Sequence, residues 1–181
     1  MRIIPFENVK PVALHLVKGG RWLLASNIGA VVVCDLENSK DPGRLLVPRH
    51  PDAHPRQPIT DLKVDVLANA STLTFHLAIG QYHPAYHPLE DTPLWTHIWK
   101  VMLKGHGADA HLEATHLTSF TTARSLMCKN VSLYGLRYAR AVIYADLGQC
   151  VEIFDWSASN LQELRKTAIN EPCVGAVIDG L

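Results

Sequence analysis

The stretch Gly19-Gly20-Arg21-Trp22-Leu23-Leu24-Ala25-Ser26-Asn27-Ile28-Gly29-Ala30-Val31-Val32-Val33-Cys34-Asp35 decides the fold class of this chain. It reads as turn, apolar strand, turn, β-branched strand. The glycines supply the positive φ that tight hairpins demand, and the consecutive valines favour a pleated sheet. Working outward, Val12-Ala13-Leu14-His15-Leu16 precedes the first turn. Arg44-Leu45-Leu46-Val47-Pro48 follows the polar loop Glu37 to Gly43. Four short strands joined in this way make an antiparallel meander.

The same pattern continues downstream. After the loop His50 to Pro58, Ile59 to Val66 alternates apolar and polar residues at period two, the mark of a half-buried strand. Leu73 to Ile79 extends it. A long loop, Gln81 to Pro93, separates these from Trp95 to Leu103 and Ala110 to Phe120. A third unit comprises Val131 to Tyr134, Tyr138 to Ala145 and Cys150 to Trp156. Leu161 to Thr167 fits either a helical turn, given the Asn-x-x-Glu spacing at Asn160, or a fourth strand, and the repeat favours the strand.

The third strands of the units overlay as Val31 to Leu36, Thr96 to Val101 and Val151 to Trp156. Each sets bulky apolar residues before a Cys or aromatic and then Asp or Lys. The units open at Val12, Ile59 and Val131, spacings of 47 and 72 residues. The first approaches the roughly 40–45 residues of a WD-type propeller blade, and the loops at 81–93 and 121–130 absorb the excess in the second. The expectation is an all-β chain, a partial β-propeller of about three four-stranded antiparallel blades. The blades fall at about 12–48, 59–120 and 125–167, between a lead-in at 1–11 and an irregular tail at 168–181. The alternative is a β-sandwich that binds a small ligand or metal through the His-bearing loops 50–58 and 81–93.

The Gly19–Asp35 stretch resembles the core of a WD repeat, with Asn27 where the repeat usually carries its turn Asp. No Gly-His pair precedes the first unit. Gly105-His106 precedes the third, although the strand after it fits poorly. More narrowly, Gly-Gly-Arg-Trp-Leu-Leu at 19–24, Val-Ser-Leu-Tyr-Gly at 131–135 and Val-Glu-Ile-Phe-Asp-Trp at 151–156 resemble the propeller-like part of F-box proteins of mushroom-forming fungi. The resemblance spans Val12 to Thr167. It implies a non-catalytic protein–protein recognition module, the substrate-binding part of a ubiquitin-ligase adaptor. The F-box itself would lie N-terminal, and eleven residues precede Val12, so the expectation is a fragment or truncated copy. Three blades do not close a ring, and exposed blade edges then invite self-association.

Composition narrows the function classes. Of 181 residues, 48% are hydrophobic and 19% charged, enough for a packed core. Seventeen basic and seventeen acidic side chains balance, which argues against a nucleic-acid binder, since that needs concentrated positive charge. The longest apolar run, Ala30 to Cys34, is far below the roughly 20 residues of a membrane span. Residues 1–7 carry no apolar signal segment. Cys34, Cys128, Cys150 and Cys173 are scattered without a Cys-x-x-Cys pair. They read as reduced thiols of a cytosolic or nuclear protein.

Chemistry-bearing patterns are few. His50/His54 and His83/His87 have the i, i+4 spacing of helical metal ligands, yet Pro51 and Pro84 break the helix that would aim them, so no metal is expected. His15, His76 and His97 read as outward-facing or hydrogen-bonded strand residues. No Gly-x-Ser-x-Gly elbow or phosphate loop occurs; Ser26, Ser132 and Ser157 belong to strands and turns, and Glu90-Asp91 to a solvated loop. No catalytic residue and no cofactor are expected. Trp22, Trp99 and Trp156 read as packing residues. Trp95, beside the long loop, is the candidate anchor for a protein partner.

Overall fold

Twelve strands are found among the residues that the computed structural model describes, namely 11, 13–27, 29–38, 42–49, 59–82, 94–122, 127–144, 148–157 and 166–169. The first sheet runs β1 (Leu14–Leu16), β2 (Trp22–Asn27), β3 (Ala30–Asp35), β4 (Arg44–Val47). The second runs β5 (Ile59–Val66), β6 (Thr74–Tyr82), β7 (Leu94–Lys104), β8 (His111–Thr122). The third runs β9 (Met127–Tyr134), β10 (Arg137–Tyr144), β11 (Gly148–Asp155), β12 (Lys166–Ile169). Each sheet is an antiparallel meander in chain order. The turns are made where glycine permits them: Gly20 has φ 79° and Gly29 has φ 70°.

The three sheets stack in sequence. One core lies between the first and second sheets. Val17, Trp22, Leu24, Val31, Val33, Leu46 and Val47 meet Ile59, Leu62, Phe75, Leu77, Ile79, Val101 and Leu112 there. A second core lies between the second and third sheets, where Ala78, Ile98 and Phe120 meet Val131, Leu133, Tyr138, Phe154 and Trp156. The middle sheet is therefore buried on both faces. A two-layer sandwich has no such sheet, so that alternative is set aside. The first strands of the sheets also lie close together, β5 touching both β1 and β9.

Several expectations are adjusted. β6 runs on through Tyr82, so the loop expected from Gln81 begins later. β12 extends the third unit to Ile169, into the expected tail. Gly105-His106 does not introduce the third unit; it lies between β7 and β8, ahead of a short 3-10 turn at Gly107–Asp109. Residues 50–58 and 83–93, with His50, His54, His83, His87, Glu90 and Asp91, lie outside the described residues, as do 1–10, 158–165 and 170–181. Cys34 and Cys150 are buried.

The first sheet is braced at its hairpin ends. Arg21 Nε and Nη2 donate to the two carboxylate oxygens of Asp35 at 3.1 and 2.8 Å, and the guanidinium lies 4.7 Å above the Trp22 ring. That hydrogen-bonded cation holds Asp35 below the usual carboxylate range. Nη2 also reaches the Gly107 carbonyl at 3.4 Å, tying the first sheet to the second. The far side of the first sheet carries Leu14, Leu16 and Leu45, exposed by 57%, 55% and 61%.

The interface between the second and third sheets is mixed rather than apolar. Arg140 and Glu152 face each other across β10 and β11 and pair at 2.6 Å with side chains 1% and 0% exposed. Burial raises the Asp61 carboxyl above its ordinary range, while the Thr60 hydroxyl, Lys63 and Arg140 pull it back. Asp65 accepts the Gly135 backbone N–H at 2.7 Å. His76, expected to be outward-facing or hydrogen-bonded, is inward, 9% exposed, hydrogen-bonded to the Gly135 backbone and edge-on to the Trp156 ring at 4.9 Å. The reason is that its face of the middle sheet is an interior face. Its Nδ1 finds no partner among the described residues.

Two outcomes follow from these buried groups. Glu152→Ala strands a buried guanidinium and costs about 3–5 kcal/mol, whereas Arg140→Met with Glu152→Leu recovers most of that loss; urea denaturation compares the variants. Burial lowers the His76 pKa from 6.5, and burial followed by Lys63 lowers that of His15. The unfolded chain then binds more protons than the folded one as pH falls below about 6.5, so stability declines through that window. Asp61 acts with the opposite sign, gaining stability as pH falls through its raised pKa. Thermal melts against pH show the decline, and His76→Gln flattens it.

Candidate functional site

β7 places Trp95, His97 and Trp99 on one face by the period-two rule. Across the ladder, Trp95 pairs with Thr121, His97 with Ser119, and Trp99 with His116. His116 and Ser119 stand three apart in β8, and in a regular strand they would point to opposite faces. Between them Leu117 is an extra residue, because Ile98 pairs with Thr118 while the next residue, Trp99, pairs with His116. This β-bulge turns His116 onto the face of Ser119, the re-aiming for which bulges are used next to sites.

The result is a compact polar centre with aromatic walls. Ser119 Oγ lies 2.7 Å from His97 Nδ1 and 2.7 Å from His116 Nε2. A hydroxyl owns one proton, so with neutral rings it donates to one imidazole and accepts an N–H from the other. Because one contact is through Nδ1 and the other through Nε2, the two rings thereby hold the same tautomer, both Nε2–H or both Nδ1–H. Trp95 lies 5.6 Å from the His97 ring, and Trp99 meets the His116 ring edge-on at 5.0 Å. Trp99 also packs against the core between the first two sheets, which anchors one end of the row. His97 is 5% exposed; His116 is exposed and Leu117 is 41% exposed. The site thus runs from a buried imidazole to a solvent-facing rim.

Chemically, the centre is one hydroxyl shared by two imidazoles. A serine nucleophile needs a base on its hydroxyl and an orienting group behind that base. Here the second imidazole sits on the same oxygen as the first, so the hydroxyl is shared between rings. Ser26 accepts the Ala13 backbone N–H at 2.8 Å, and Ser157 donates to Asp155 at 2.6 Å; both serve local structure. Among the described residues no group of three or more His, Cys, Asp or Glu side chains is placed to hold a metal ion.

Comparison with protein-family models, with curated proteins and with solved structures finds no match to this chain. The site therefore stands on its geometry. Trp95, the candidate anchor, lies at the loop end of the row, half-buried against His97. Reading the residues in order left out His116, Ser119 and Leu117. The odd spacing of His116 and Ser119 assigns them to different faces, and only the bulge overrides it. His97 is inward but hydrogen-bonded, one of the two states expected of it.

Ser119→Ala removes the shared hydroxyl and costs about 1 kcal/mol of stability, read by urea denaturation. Ser132→Ala, in the third sheet and outside this network, serves as the neutral control.

Proposed function

We propose that this chain is a non-catalytic protein–protein recognition module built on part of a β-propeller. In this reading it serves as does the substrate-recognition part of an F-box ubiquitin-ligase adaptor, in the cytosol or nucleus. Serial stacking of three four-stranded meanders, with the first strands gathered together, supports the propeller-like arrangement. No helix among the described residues is long and apolar enough to cross a membrane.

The observation that carries the reading is the bulge at Leu117. It sets an exposed apolar side chain beside an exposed imidazole, with two half-buried tryptophans behind them. Aromatic anchors ringed by adaptable polar groups are what protein interfaces concentrate at their centres. Trp95 is the anchor in this reading, and Trp99 fixes the platform beneath it.

Leu117→Glu tests this with little effect on the fold, because an exposed bulge residue tolerates substitution within about 0.5 kcal/mol. Immobilised chain is expected to retain a partner from a source extract that Leu117→Glu and Trp95→Ala both lose. Arg137→Glu, an exposed charge on the third sheet, is expected to keep it. Identical retention by all four proteins contradicts the assignment.

A further inference from the structure

We infer that Asp65 and His76 form a two-pronged clamp on the Gly135 turn of the third sheet, and that protonation of His76 frees this turn from the middle sheet at mildly acidic pH. The inference is independent of protein recognition and rests on register. Asp65 and His76 stand directly opposite each other across β5 and β6, so both side chains leave the same face of the middle sheet. Gly135, with φ 55°, lies in the turn between β9 and β10. Its N–H donates to Asp65 Oδ2 at 2.7 Å. The remaining backbone group, its carbonyl, accepts from the His76 ring. Both polar backbone groups of one turn residue are thus held by side chains of the middle sheet.

Apolar anchoring of the turn itself is slight, since Tyr134 and Leu136, on either side of Gly135, are 60% and 50% exposed. The Leu136 carbonyl accepts the Trp156 N–H at 3.1 Å, and the Trp156 ring meets His76 edge-on. Turn, indole and imidazole therefore make one contact. Nδ1 of His76 has no partner among the described residues, so Nε2–H makes the bond to Gly135. Protonation gives Nδ1 a hydrogen with nothing to accept it and puts a cation where water is excluded, both of which are costly. Burial is the largest influence on the ring and disfavours its cation; Asp65 from β5 and the Gly135 carbonyl favour it, and Lys100, opposite in β7, disfavours it. Lifting the turn lets water reach the ring and relieves the penalty.

Hydrogen exchange of the full chain, followed at the Gly135 amide and corrected for the intrinsic rate at each pH, tests this. From about pH 7.5 to about pH 5.5 its protection is expected to fall about tenfold, the limit for one group gaining a proton one pH unit below the ordinary 6.5. Low urea leaves that protection unchanged, because a local opening exposes little surface. His76→Gln keeps a donor for the Gly135 carbonyl but takes up no proton, and it abolishes the pH dependence. An NMR titration of the His76 ring needs no variant, and the ring is expected to titrate below 6.5. Equal protection at both pH values, a fall that survives His76→Gln, Gly135 exchange that follows urea as the β7 amides do, or a ring titrating at or above 6.5 overturns the inference.

Discussion

Leu77 and Ala78 are neighbours in β6, exposed by 0% and 2%, and they point into different hydrophobic cores. The rest of the structure depends on that constraint. A strand puts successive side chains on opposite faces, so a sheet with both faces apolar must be covered twice. The first sheet covers one side and the third sheet the other. Removing either neighbour would expose a continuous apolar surface on the longest strands of the chain. Apolar burial at about 25 cal/mol per Å² is the dominant favourable term in folding, and here it acts through a single shared layer.

The two interfaces of that layer differ in character. Toward the first sheet the contact is aliphatic and aromatic, a core that tolerates changes of equal volume. Toward the third sheet it holds the Arg140–Glu152 pair, the raised carboxyl of Asp61 and the His76 ring, whose pKa burial lowers. Charges so deep gain little net stability over well-packed apolar groups. What they impose is position, because a guanidinium and a carboxylate at 2.6 Å allow one register between β10 and β11.

Strand positions were legible from short-range pattern: β5 spans the expected Ile59–Val66, and the hairpin of β2 and β3 turns at Gly29 as its φ requires. What could not be read was the direction of particular side chains, and the cause is a recurring bulge. Thr60 is an extra residue in β5, so Ile59 and Leu62, three apart, both enter the same core. Leu46 is an extra residue in β4, so adjacent Leu46 and Val47 are both buried. Leu117 does the same for His116 and Ser119. Local sequence carries period two; a bulge is set by the partner strand, which lies elsewhere in the chain. His76 takes the hydrogen-bonded of its two expected states and not the outward one, since alternation tells which face a residue is on but not that both faces are inside. Trp95 was legible as a candidate because a large aromatic beside a long loop is unusual. Its companions were not, because they come together through register and not through spacing.

The candidate site follows from the same geometry. Sheet packing fixes Trp99, the ladder places His97 beside Ser119, and the bulge delivers His116 to the rim. All of these positions lie on paired strands, and Leu117 is the one extra residue among them. The most direct test of the doubly covered middle sheet is native-state hydrogen exchange. The account predicts that amides of β6 and β7 exchange slowest and only through global unfolding, with those of β1 and β4 opening earlier. Amides of β6 and β7 that exchange as readily as those of β1, or an outer sheet that outlasts the middle one, would contradict it.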